Sequence, residues 1–101
     1  MRRFHLQREA EADLLDIGRH TEERWGRDQR LKYLAALDRR FHLLAADPSL
    51  GKSCEEIYPG LRRARQGSHV IYFRYARGQT KIVRVLHEKM LPRLHLEEES
   101  D

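Results

Sequence analysis

Five basic or imidazole side chains in the second half of the chain could act together on a phosphodiester. Cleavage of RNA through the ribose 2′-hydroxyl needs a base, an acid and cations around the phosphorane, and histidines and arginines can fill these roles. The five lie on stretches that favour β-strands, where one concave face could collect them: Arg65, His69, Arg74, Arg84 and His87. A histidine at the start or end of a strand is more often structural, so this pattern by itself is only a weak indication of an enzyme.

Other common kinds of site lack their residues in this sequence. The six histidines are scattered, without a Cys-x-x-Cys pair or a paired-histidine helix motif, so we expect no metal site. No glycine-rich phosphate loop or nucleotide fingerprint is present, and we expect no cofactor. Cys54 is the only cysteine, which excludes an internal disulfide and indicates a loop or core thiol in a reducing compartment. No apolar run reaches signal-peptide or transmembrane length, so we expect a cytoplasmic protein.

The positive charge of the chain is concentrated in one stretch. The net charge is +4, but residues 61–96 carry nine basic side chains and one acidic side chain, a local net charge of +8. Residues 1–60 are balanced, with 11 basic and 11 acidic side chains, and residues 97–101 carry four acids. The basic stretch therefore suits a polyanion or an acidic protein partner.

The first half of the chain has the pattern of a short strand and two helices. Phe4 and Leu6 alternate with polar residues, which predicts a strand over Arg2–Gln7. Apolar residues at helical spacing predict a helix over residues 9–25 and a second helix over 28–46, with Asp28 as its cap. Only Gly26 and Arg27 separate them, so the two helices should form an antiparallel hairpin. Its core stripe is expected to pair Leu14 and Ile17 with the second helix, through Leu34, Leu37, Phe41 and Leu44.

The second half of the chain has the pattern of a loop followed by three strands. Residues 47–60 contain two prolines and two glycines and read as a loop. Strands are predicted over Leu61–Gln66, His69–Ala76 and Gln79–His87, and residues 90–96 follow as an apolar and basic extension. The predicted fold is α+β, in the order β-α-α-β-β-β, with a helical hairpin on a mostly antiparallel sheet. We expect a single domain over residues 1–96 and a disordered acidic tail over residues 97–101.

Three ordered fragments of this pattern resemble a known family. The first follows the helical hairpin: Ala12-Asp13-Leu14-x-x-Ile17, Trp25-Gly26, Tyr33-x-x-x-Leu37 and Phe41-x-x-Leu44-Ala45-x-x-Pro48-x-x-Gly51. The second is Pro59-Gly60-Leu61-Arg62-Arg63 followed by Gly67-Ser68-His69-Val70-Ile71-Tyr72-Phe73-Arg74. The third is Ile82-Val83-Arg84-Val85-Leu86-His87 with Met90 and His95-Leu96. Together, over residues 4–96, they resemble the ParE toxins, whose fold is shared with the RelE toxins.

The resemblance implies a toxin of a type II toxin–antitoxin system that inhibits DNA gyrase by binding, without catalytic turnover. It also implies a ParD-like ribbon-helix-helix antitoxin whose C-terminal segment wraps the toxin, and a complex that binds operator DNA through the antitoxin. The candidate gyrase contacts lie at and beyond the last strand: Arg84, His87, Met90, Arg93, His95 and Leu96. The candidate antitoxin contacts lie on the two preceding strands: Arg62, Arg63, Arg65, Tyr72 and Arg74.

Two alternative functions remain open on the same fold. One is a ribosome-dependent mRNA endoribonuclease of the RelE type. Such relatives usually carry a catalytic tyrosine near the C-terminus, and this chain has no tyrosine after Tyr75, although His87 could substitute. The other is a decayed toxin that serves only as an operon co-repressor. Leu91 and Pro92 stand where many ParE relatives carry an acidic residue, which bears on potency and target.

Overall fold

The computed structural model describes residues 4–96 as a helical hairpin packed on a five-stranded sheet. In chain order the elements are β1 (Phe4–Leu6), α1 (Arg8–Trp25), α2 (Arg27–Ala46), β2 (Lys52–Ser53), β3 (Leu61–Gln66), β4 (His69–Ala76) and β5 (Gln79–His87), with 3₁₀ turns at Pro48–Leu50 and Pro92–Leu94. The predicted order and the bounds of the last three strands are confirmed. The short strand β2 replaces part of the loop expected over residues 47–60. The expected acidic tail lies outside the described residues.

A single glycine joins the two helices. Gly26 has a φ of +91°, in the left-handed region that favours glycine. Its N–H donates to the carbonyl of Glu22 at 2.9 Å, and its carbonyl accepts from the N–H of Arg30 at 3.1 Å. The prediction that Asp28 caps the second helix is wrong, because α2 already begins at Arg27. Asp28 lies instead in the first turn, where its charge suits the positive end of the helix dipole.

The sheet has the strand order β1-β5-β4-β3-β2. Strands β2 to β5 pair antiparallel, whereas β1 pairs parallel with the beginning of β5, from Phe4 opposite Thr80 to Leu6 opposite Ile82. The sheet is therefore mixed, with β1 as its only parallel member among the described strands. Because β1 is so short, the later part of β5 has no strand beside it on that edge.

Apolar residues cover both faces of the sheet. Successive residues of a strand point to opposite faces. On one face Ile71 and Phe73 of β4 pack against the helical hairpin, where Leu37, Phe41 and Leu44 are buried as predicted. On the other face a second cluster joins residues of β3, β4 and β5 to the loop before β3 and to the last described residue. Its members are Cys54, Tyr58, Leu61, Tyr72, Val83, Leu86 and Leu96. Neither described helix is long and apolar enough to cross a membrane.

Candidate functional site

A carboxylate of α1 occupies the open edge of β5. The Oδ2 atom of Asp13 accepts from the N–H of Val85 at 2.9 Å and from Nε of Arg84 at 2.8 Å. Its Oδ1 atom accepts from Nη2 of Arg84 at 2.9 Å, which makes the ion pair bidentate. Both side chains are largely buried, at 20% exposed for Arg84 and 12% for Asp13. The hydrogen bonds that Arg84 donates to Asp13 raise the pKa of its guanidinium above its ordinary value.

The same arginine fixes the chain beyond the sheet. We refer to residues 88–96 as the C-terminal segment. Nη1 of Arg84 donates to the carbonyl of His95 at 2.8 Å, and Leu96 is buried against the second cluster at 7% exposed. Between these anchors the segment presents apolar side chains to solvent, with Met90 46%, Leu91 65% and Leu94 75% exposed. The result is an anchored, exposed apolar surface at the end of β5.

Some of the candidate gyrase contacts are exposed on this surface, and others lie beneath it and hold it in place. Met90, Arg93 and His95 are exposed on the C-terminal segment. Leu96 and Arg84 face inward and hold the segment in place. His87 is half-buried at the end of β5, and its Nδ1 accepts from the N–H of Lys89 at 3.1 Å. The residues predicted as one contact set are therefore close together, and two of them act as anchors.

The candidate antitoxin contacts also have different environments. Arg63 and Arg65 are exposed on β3, and Arg65 pairs with Glu88. Arg62 is committed to the fold, because it donates to the carbonyls of Pro48 at 3.0 Å and Gly51 at 2.7 Å.

The other two members of that set lie on β4. Tyr72 is only 3% exposed and belongs to the second cluster, so its ring is not accessible for direct contact with an antitoxin. Arg74 is partly buried, with its guanidinium 5.9 Å from the ring centroid of Tyr58.

The five groups considered for phosphodiester cleavage do not converge on one site. His69 and His87 do meet, with ring centroids 5.4 Å apart. Arg74 lies five residues after His69 on β4, and therefore projects from the opposite face of the sheet. Arg84 is engaged by Asp13, and Arg65 by Glu88. None of the three strand arginines considered for this role therefore lies beside the two imidazoles.

The two histidines form the floor of a groove with a tyrosine from α2. The hydroxyl of Tyr33 lies 2.6 Å from Nδ1 of His69, accepts from the N–H of Ser68 at 3.2 Å and donates to the carbonyl of Gln66 at 3.1 Å. Burial, and after it the neighbouring His87, lowers the pKa of His69 from 6.5 to about 4. His69 is therefore neutral at neutral pH.

Cys54 has no feature of a reactive thiol. Its side chain is fully buried in the second cluster, and burial raises its pKa to about 11. It is a core residue. Among residues 4–96, no three His, Cys, Asp or Glu side chains are grouped so that they could hold a metal ion.

Two positioning residues escaped the sequence reasoning. Asp13 reads there only as an acid in the first half of a helix, and Tyr33 as an aromatic residue near the start of the second helix. Their partners are about 70 and 36 residues away in the chain, at Arg84 and His69. Both residues fall within fragments of the family pattern, which was the available signal for them.

Comparison with known proteins places these features in one family. The model of the family described as the ParE toxin of type II toxin–antitoxin system, parDE, matches residues 4–92. The chain is 38% identical over 96 residues to Toxin ParE1 of Caulobacter vibrioides, covering 95% of this chain and 99% of the relative. It is 40% identical over 89 residues to Toxin ParE1 of Mycobacterium tuberculosis, covering 87% of this chain and 91% of that protein.

Solved structures show the same fold. A chain from the chromosomal ParDE toxin–antitoxin system of P. aeruginosa superposes with a TM-score of 0.73 at 22% identity, covering 86% of this chain and 96% of that one. A chain from the RelBE2 toxin–antitoxin complex of Mycobacterium tuberculosis superposes with a TM-score of 0.62 at 20% identity, covering 85% and 90%. At these identities the superpositions establish the fold that the sequence pattern predicts.

Proposed function

We propose that this chain, which belongs to the ParE toxin family of type II toxin–antitoxin systems, inhibits DNA gyrase by binding it through the C-terminal segment. The observation that carries the proposal is the fixed apolar surface of that segment. Met90, Leu91 and Leu94 are exposed close together in the chain, and a group of exposed apolar side chains marks an interaction surface. Contact surfaces concentrate their binding energy in a few such side chains.

The anchoring of the segment favours action by contact. Arg84 holds the carbonyl of His95, and Leu96 is buried in the second cluster, so Leu91 and Leu94 are ordered before any partner arrives. An ordered surface loses less conformational entropy on binding than a mobile one. Such an arrangement needs no proton transfer, and we propose that the chain has no turnover of its own.

We further propose that an acidic segment of a ribbon-helix-helix antitoxin neutralises the toxin. The support is electrostatic: residues 61–96 carry a net charge of +8, and Arg63 and Arg65 are exposed on β3. Opposite charges accelerate association and make its rate depend on salt. Binding of operator DNA would then occur through the antitoxin. Pull-down with a co-expressed antitoxin from the same operon tests this pairing. Absence of binding between the two proteins at low salt would contradict it.

The target is tested by adding the purified chain to two reactions. In a gyrase supercoiling reaction we expect loss of supercoiling and accumulation of cleaved DNA. In a translation reaction programmed with a defined messenger RNA we expect intact message. Ribosome-dependent cleavage with normal supercoiling would identify the RelE-type activity instead. Neither effect from folded protein would identify an operon co-repressor.

A further inference from the structure

A groove of about 990 Å³ opens between the junction of the two helices and the end of the sheet. Its floor is formed by Tyr33, His69 and His87, and its rim by Arg24, Trp25 and Lys89. The rings on the floor contact one another edge to face, with centroids 5.4 Å apart for Tyr33 and His69 and again for the two histidines. The volume is that of a small-molecule site. Two residues of the C-terminal segment, Lys89 and Met90, line one side of it.

The hydrogen bonds of the floor fix which proton each imidazole carries. The carbonyl of Gln66 can only accept, so the hydroxyl proton of Tyr33 is directed to it. In this arrangement the Tyr33 oxygen accepts at 2.6 Å from Nδ1–H of His69, and Nε2 of His69 is then an acceptor. Nδ1 of His87 accepts from the N–H of Lys89, so a neutral His87 carries its proton on Nε2. The floor therefore offers an acceptor and a donor on adjacent rings.

The rim adds a flat apolar face and positive charge. Trp25 is 70% exposed at the last residue of α1. Arg24 and the ammonium group of Lys89 make no ion pair or hydrogen bond within residues 4–96, so their charges are available to a ligand. Asp16 is the one carboxylate of the lining among the described residues, and it lies 3.9 Å from Arg19.

We propose that this groove binds a nucleotide, with the edge of the base at His69 and His87, its face against Trp25, and its phosphate between Arg24 and Lys89. Each part of the nucleotide would be bound by a different feature of the groove. Nucleobases carry a hydrogen-bond donor and an acceptor side by side on one edge. Their faces stack on aromatic side chains, and phosphate is attracted by arginine and lysine. The nucleotide can be free or one unit of a single strand.

Trp25 is the only tryptophan of the chain, so its fluorescence reports on the groove directly. We expect AMP and CMP to quench it saturably below about 1 mM. Ribose 5-phosphate, which has the charge but no base, should bind at least about tenfold more weakly, because it forms no stack and no base-edge hydrogen bonds. Higher salt should weaken the nucleotide binding through its phosphate.

Two variants of the groove and two matched controls assign the contacts. His69→Phe keeps a ring but removes the acceptor, and should weaken AMP binding at least about fivefold. Lys89→Gln, at an exposed position, should weaken binding and reduce its dependence on salt. His42→Phe, 53% exposed near the far end of α2, and Lys52→Gln on β2 should leave the affinity within about twofold.

Several results would overturn the proposal: no saturation by about 5 mM AMP, equal quenching by ribose 5-phosphate or an acidic peptide, or unchanged affinity in both groove variants. The source of the nucleotide is decided with a single-stranded DNA pentamer. Binding more than about tenfold tighter than that of AMP supports a unit of a strand. Binding equal to that of AMP supports a free nucleotide. Since the readout is fluorescence of the isolated chain, it does not depend on gyrase inhibition.

Discussion

The Asp13–Arg84 pair provides the sharpest test of how the C-terminal segment is held. Asp13→Asn retains the shape of the side chain and one acceptor but removes the charge that pairs with the guanidinium. The expected loss has two parts. The charge-assisted hydrogen bonds to Arg84 weaken, and the largely buried guanidinium is left without its counter-charge.

The magnitude follows from the burial of the pair. Breaking a fully buried ion pair costs about 3–5 kcal/mol, and an exposed pair contributes about 0–1 kcal/mol. With the two side chains 20% and 12% exposed, we expect the free energy of unfolding to fall by about 2–3 kcal/mol. For a chain of this length that corresponds to a decrease in Tm of roughly 10–20 °C. Asp16→Asn is the matched control, because Asp16 is 77% exposed and its ion pair with Arg19 is long, at 3.9 Å.

The assay combines thermal unfolding with amide hydrogen exchange. Asp13→Asn should lower Tm, and should also accelerate exchange at Leu94, His95 and Leu96, whose N–H groups are bonded within the segment. Asp16→Asn should change Tm by no more than about 2–4 °C. Equal Tm values for the two variants, or unchanged exchange at the C-terminal segment, would refute the reasoning that Asp13 acts through Arg84.

Three further predictions concern the core, a turn and pH. Phe41→Ala should reduce the free energy of unfolding by about 3–5 kcal/mol in urea denaturation, because Phe41 is 2% exposed in the first cluster; an unchanged midpoint would show that the cluster is misassigned. Gly67→Ala should reduce the free energy of unfolding by about 2–4 kcal/mol, because the φ of Gly67 is +59° and the new Cβ would lie 2.7 Å from the hydroxyl of Tyr33. The control Gly78→Ala (φ +75°, no neighbour within 4 Å) should reduce it by only about 1–2 kcal/mol. Equal losses in the two variants would contradict the contact with Tyr33. The pKa of His69 is lowered from 6.5 to about 4, so the unfolded chain binds the extra proton first. Stability should therefore decrease by about 2–3 kcal/mol as the pH falls from 6.5 to 4. His69→Phe should lose this pH dependence, and a wild-type slope in that variant would assign it to other groups.

The fold could be predicted from the sequence wherever a local pattern determined the structure. Leu37, Phe41 and Leu44 lie at helical spacing and are buried, and the glycine turns after Gln66 and Ala76 set the bounds of the strands. The sequence placed both Gly26 and Arg27 between the helices, but the φ of +91° at Gly26 lets that one residue join them, and so the predicted cap at Asp28 lies one position inside α2.

The candidate site was predictable only in part, because its geometry depends on distant pairings. A bulge between Tyr72 and Phe73 in the pairing of β4 with β5 shifts the register, and no local signal marks it. That register determines which face Arg84 and His87 occupy. The role of Asp13 depends on how far β1 extends along β5, which is a property of the assembled sheet. Of the two apolar candidates beyond β5, Met90 is exposed and Leu96 is buried, and the more exposed Leu91 and Leu94 were not among the predicted contacts.

The central claim, that the toxin acts through the exposed apolar surface of its C-terminal segment, is tested most directly by gyrase inhibition with the double variant Leu91→Ser/Leu94→Ser. Both side chains are exposed, at 65% and 75%, so the fold and the Tm should not change. We expect the concentration that gives half-inhibition of supercoiling to rise by about tenfold or more relative to the intact chain. Full inhibition by the folded double variant, at the same concentration as the intact chain, would contradict it.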